Sequence, residues 1–96
     1  MQVVIRKYTG KGAAALIDLL EARASEIRDF MGKVRGLVSY TIARCDGGGF
    51  TVTVCQDRGG IDESVKVARD WIIANATNIG AAAPEITYGD VVARIG

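Results

Sequence analysis

An α+β fold with β-α-β-β-α-β order is predicted by three observations in this chain of 96 residues. Four short segments are rich in β-branched residues, two longer ones carry apolar residues at three- and four-residue steps, and a glycine cluster separates the middle strands. Short right-handed crossovers then favour one four-stranded antiparallel sheet with two helices on one face, the ferredoxin-like sandwich. Residues 1–96 read as a single domain, without repeat, linker or low-complexity segment. A domain this small buries a lower fraction of its surface than a larger one, so association with a second copy would help.

The first strand is read from Gln2 to Tyr8 (QVVIRKY) and is broken by Thr9 and Gly10. From Lys11 to about Lys33, Ala13, Leu16, Ile17, Leu20, Ala24, Ile27 and Met31 recur on one face, which predicts one long amphipathic helix ending near Gly32 and Gly36. Leu37–Cys45 (LVSYTIARC) and Phe50–Asp57 (FTVTVCQD) read as strands. A second helix is traced by Val65, Ala68, Ile72 and Ile79, from about Ile61 to Ile79, with Asp62 and Glu63 in its first turn and Gly80 and Pro84 as its stop. The tail Ile86–Ile95 (ITYGDVVARI) reads as a last strand with a bulge at Gly89.

The stretch RCDGGGFTVTVC reads as a hairpin. A loop of Gly47–Gly49 would set Ile42 beside Val54 and Thr41 beside Cys55. One face would then hold Val38, Tyr40, Ile42, Phe50, Val52 and Val54, and the other Ser39, Thr41, Ala43, Thr51, Thr53 and Cys55. In that register the two cysteines lie roughly 13–17 Å apart along the strands, beyond the ~7 Å limit for a disulfide. They read as two small buried thiols.

Composition narrows the chemistry. There is no histidine, which excludes a Ser-His-Asp triad, a Cys-His pair and a histidine metal or haem ligand. The net charge is +1 with no basic run, so no nucleic-acid partner is implied, and no apolar run nears the ~20 residues of a membrane span. Cytoplasmic residence without membrane association is expected. Two cysteines alone do not make a zinc site, and no metal is expected. The triple glycine leads into a strand rather than a helix, so it is not a phosphate loop. Phe50 is the only aromatic of the third strand, too few for base stacking.

The second sheet face, with Thr41, Ala43, Thr51, Thr53, Cys55 and in addition Val4 and Leu37, has few charges for a surface meeting water. This predicts a homodimer that hides it. Between helices and sheet, Trp71 and Asn75, four residues apart on one helix face, together with Tyr40 would bound a site for a small apolar or aromatic molecule. Arg6, Tyr8 and Tyr88 are weaker additions, since their facing is ambiguous.

The segments YTGKGAAALIDLL, VRGLVSYTIARCDGGGFTVTVCQDRGGIDES, ARDWIIAN and PEITYGDV resemble a family of small uncharacterised bacterial proteins of the dimeric α+β-barrel superfamily, near antibiotic-biosynthesis-monooxygenase-like domains. The resemblance covers nearly the whole chain and implies a ferredoxin-like protomer in a dimeric α+β barrel. Some members of that superfamily oxidise aromatic polyketides without metal or flavin, and others degrade haem. Trp71 and Asn75 lie on the helix where monooxygenase-type members place tryptophan and asparagine; without histidine the haem-degrading branch is set aside. The first functional reading is therefore a dimer that binds a small apolar or aromatic molecule and needs no cofactor. One alternative is a cofactor-independent monooxygenase in which Trp71 packs the substrate ring, Asn75 orients a carbonyl or dioxygen and Tyr40 handles a proton. The other is a structural or regulatory dimer without ligand.

Overall fold

The computed structural model describes all 96 residues. Its elements run β1 (Gln2–Thr9), α1 (Ala13–Ala22), α2 (Ala24–Met31), β2 (Leu37–Cys45), β3 (Gly48–Cys55), α3 (Arg58–Ala76), a 3₁₀ turn (Thr77–Ile79) and β4 (Glu85–Asp90). One antiparallel sheet of order β2-β3-β1-β4 carries all the helices on one face, which is the ferredoxin-like arrangement. Leu16, Ile17, Leu20, Ile27, Met31, Ile61 and Val4 form the centre of the core between the layers.

Three elements differ from their sequence reading. The first helix is kinked at Arg23 (φ −113°, ψ 27°), although its hydrogen bonds to Leu19 and from Ile27 continue through the bend. The turn Ala22-Arg23-Ala24-Ser25 carries no large apolar side chain to hold a straight stripe against the sheet, and Ala24 is exposed rather than part of that stripe. The second helix starts at Arg58, capped by the Asp57 carboxylate, which accepts from the Gly60 amide at 3.0 Å. β4 ends at Asp90, Gly89 pairs regularly with Val3 instead of bulging, and Val92 and Ile95 are open to solvent.

The hairpin correction has the largest consequence. The turn is the two residues Asp46-Gly47, with Gly47 left-handed at φ 80°, and Cys45 faces Gly48. Ile42 therefore opposes Thr51, not Val54, and Thr41 opposes Val52, not Cys55. The shift is three residues, and any odd shift exchanges the faces of a strand. Thr51, Thr53 and Cys55 are buried beneath the helices, beside Tyr40 and Ile42, and Val4 and Leu37 also pack inward. The outer face instead carries Val3 and Ile5 from β1, Phe50, Val52 and Val54 from β3, and Thr41 and Ala43 from β2. The small inner side chains let the helices sit close to the sheet: a Cβ on Gly49 would fall 2.7 Å from Ile17 Cγ1. Val38 sits at an irregularity between Leu37 and Ser39. Both cysteines are free, Cys55 buried and Cys45 only half-buried. Burial, with Asp57 and Glu63 nearby, pushes the Cys55 thiol up and keeps it protonated.

Candidate functional site

Alternation along β1 points Val4, Arg6 and Tyr8 toward the helices. Arg6 lies directly opposite Thr51 on β3 and Ile86 on β4. All three polar side chains are deeply buried, with Arg6 5 %, Tyr8 2 % and Thr51 2 % exposed. Arg6 Nε, the Tyr8 hydroxyl and Thr51 Oγ1 have no hydrogen-bond partner within the chain. Nor does a carboxylate reach Arg6: the ion pairs of the chain belong to Arg23, Arg44, Arg58, Lys66 and Arg69. Its guanidinium lies 5.7 Å from the centre of the Tyr8 ring. A buried cation without a counter-charge is costly, and its presence in a core calls for a reason.

Two spaces adjoin this cluster. One, of about 10 Å³, is partly enclosed between helices and sheet by Arg6, Tyr8, Thr51, Tyr40, Trp71 and Phe30 among others. The other is an open, mostly apolar groove of about 470 Å³ between α3, the 81–84 connection and β4, lined by Leu16, Val65, Ile72, Pro84, Ile86 and Tyr88. Arg6, Tyr8 and Ile72 border both. Tyr40 also borders a second groove of about 430 Å³ between α2 and β2. Burial, augmented by Tyr8 and opposed by Arg6 and by the neighbouring Thr51 hydroxyl, which lies outside good hydrogen-bond geometry, pushes the Tyr40 phenol up to about 12, and burial raises Tyr8 against the opposing pull of Arg6. Both phenols are therefore hydrogen-bond donors at neutral pH rather than bases.

The sequence-derived trio separates in the structure. Tyr40 and Trp71 share the enclosed space, which is nearly filled, whereas Asn75 does not border it. Asn75 accepts from Arg23 at 3.0 Å and donates to the Trp71 carbonyl at 2.9 Å. The Trp71 indole donates to Glu26 at 2.5 Å, its ring lies 6.0 Å from that of Phe30, and the Arg23 guanidinium lies 5.0 Å from its centre. Trp71, Asn75, Arg23 and Glu26 thus latch α3 to the kink between α1 and α2. Arg6 and Thr51 were missed as a pair because they meet only through β1–β3 pairing; the signal available was the alternation Val4-Arg6-Tyr8 itself.

The latch is pH-sensitive. The Trp71 hydrogen bond, then Arg23, hold the Glu26 carboxyl below its usual value of 4.5. A carboxylate lowered on folding contributes stability above the unfolded value and loses it as pH falls through the folded one. Emission of Trp71, the one tryptophan, is expected to shift as pH falls below 4.5; Glu26→Gln is expected to abolish that step, and an unchanged titration would contradict the latch.

No protein-family model and no curated protein matches the chain. Solved structures do. The haem degrader MhuD from Mycobacterium tuberculosis, with two haems bound in its active site, superimposes with a TM-score of 0.72 at 18 % identity, covering 100 % of both chains. A monooxygenase from Streptomyces coelicolor in complex with nanaomycin D gives 0.61 at 12 % identity, covering 98 % of this chain and 88 % of its own. A dimeric ferredoxin-like protein from an uncultured marine organism gives 0.60 at 11 % identity, covering 98 % and 94 %. With element order, strand order and these likenesses together, the chain has the ferredoxin-like fold that these solved structures share.

Proposed function

We propose that this protein is a homodimer that binds a small, largely apolar or aromatic molecule between its helices and sheet, in the groove of about 470 Å³ that leads to Arg6 and Tyr8. That groove carries the reading: it has the size and apolar lining of a small-molecule site, with few polar groups, Arg6 and Tyr8 among them on the wall it shares with the inner space. Trp71 and Tyr40 stand behind that wall and shape its depth, and Asn75 acts by holding Trp71 in place. Dimerisation rests on the outer sheet face, where Val3, Ile5, Phe50, Val52 and Val54 cluster on the central strands and no element of the chain covers them. The likeness to a dimeric protein of this fold supports the same assembly.

Native mass spectrometry of the dimer with a panel of naphthols and anthrone-like phenols tests the reading. Ile86→Trp, placed on the groove wall, is expected to weaken any bound member about tenfold or more while the protein stays dimeric. Equal binding by the variant would place the ligand elsewhere.

The cofactor-independent monooxygenase is the second reading, favoured by the likeness to a monooxygenase holding an aromatic ligand. The raised Tyr40 phenol would then handle its proton as a donor, toward a carbonyl or dioxygen. Oxygen uptake with the same phenols separates enzyme from binder. Haem does not fit these residues: the chain has no histidine, and Tyr8 and Tyr40 are held protonated beside a cation, which makes them poor iron ligands.

A further inference from the structure

Arg6 poses a question that an apolar ligand leaves open. Its guanidinium is buried, lacks a carboxylate partner, and shares its surroundings with two hydroxyls that also lack partners. A water molecule of the size that the enclosed ~10 Å³ admits could satisfy those hydrogen bonds. Water would not neutralise the charge. An ionised oxygen would do both, because it is about as large as a water and accepts several hydrogen bonds at once. Arg6 and Tyr8 border the groove as well, so a ring in the groove can direct such an oxygen to them.

We infer that the molecule bound in this groove is an anion, an aromatic or alicyclic carboxylate or phenolate, whose charged oxygen is held by Arg6, Tyr8 and Thr51. This rests on the groove being the binding site. The three groups come from adjacent strands, with Arg6 directly across from Thr51 and Tyr8 two residues along β1, so the sheet itself holds them in register. Each carries a donor, Nε–H or O–H, suited to one acceptor. No acidic side chain lines either space, so nothing in the pocket opposes a negative charge. Arg69, at the groove wall, is already paired with Asp70 at 3.7 Å, so Arg6 is the cation left for the ligand.

The test compares 2-naphthoate with 2-naphthamide, a neutral molecule of nearly the same shape, by calorimetry on the purified protein and on Arg6→Gln and Arg6→Lys. Charge-assisted hydrogen bonds to a buried anion predict that the wild-type protein binds the naphthoate about tenfold or more tightly than the amide. Arg6→Gln is expected to bind both alike, and Arg6→Lys to keep part of the preference. Tyr8→Phe and Thr51→Val are expected to reduce it by smaller factors. Equal affinities in the wild-type protein would overturn the inference while leaving the groove a binding site; this comparison needs no variant to fold. A preference that survives intact in Arg6→Gln would also overturn it. Binding of neither compound, nor of the smaller benzoate and benzamide, would overturn the groove reading and the inference together.

Discussion

Val52→Asp is expected to convert the protein from dimer to protomer at micromolar concentration, read as a halving of the mass in sedimentation or light scattering. Val52 sits at the middle of the outer face, directly between Ile5 on β1 and Thr41 on β2. A face-to-face dimer related by two-fold symmetry would bury this position in both copies. The substitution then places two carboxylates in an apolar layer without counter-ions, which costs several kcal/mol, on the order of 3–5 kcal/mol, by the magnitude for uncompensated buried charges. The dissociation constant would rise by roughly two to four orders of magnitude. The nearest formal charges on that face are Lys7 and Glu85, which oppose one another toward one end of β1 and do not neutralise its middle. Lys7→Gln, on the same face but off its centre, is expected to leave the mass unchanged. A wild-type protein that sediments as a protomer, or a Val52→Asp variant that remains a dimer, would refute the assembly.

Gly49→Ala is expected to lose about 2–3 kcal/mol of stability in urea denaturation, in the upper range for overpacking a tight interior. An added Cβ would overlap the Ala43 carbonyl and fall 2.7 and 2.8 Å from Ile17 Cγ1 and Cδ1. Ile17 is itself fully packed in the core, and the Ala43 carbonyl belongs to the partner strand, so neither can withdraw cheaply. Gly47→Ala provides the contrast. Its Cβ would meet nothing within 4 Å, and the φ of 80° alone is unfavourable, at about 1–2 kcal/mol. If Gly49→Ala were no more disruptive than Gly47→Ala, the close approach of α1 to β3 would be wrong.

These two glycines show how much was legible beforehand. Three consecutive glycines after Asp46 announce a hairpin, but they do not say which of them turns. The apolar alternation of Phe50, Val52 and Val54 made them the natural inner face, yet they point outward. The reason is that two layers compete for them. The helices need a close, flat seat, which Gly49, Thr51, Thr53 and Cys55 provide, and the larger valines and phenylalanine are left for a different apolar neighbour. A reading that assumes one buried face per strand cannot weigh that competition. The expectation of an outer face with few charges in mid-strand was right, and the residues assigned to it on β3, together with Val4 and Leu37, were wrong.

The candidate site divides in a similar way. Tyr40 facing the helices and Trp71 beside it follow from local periodicity, and both border the enclosed space. Asn75 satisfied the same spacing rule, but its amide is taken by Arg23, whose position depends on a kink in a helix that periodicity drew straight. Arg6 carries only a weak local signal, the alternation Val4-Arg6-Tyr8, and its pairing with Thr51 exists only through the β1–β3 register.

Alternating and three-to-four-residue patterns alone determined the order of elements and the α+β class, because those periods follow from backbone geometry and survive changes of neighbour. Only the three-dimensional packing decided which side of the central strand faces the helices, and that an arginine and two hydroxyls converge without partners. Register and convergence depend on residues far apart in the chain, and the energies that select them exist only once the layers have met.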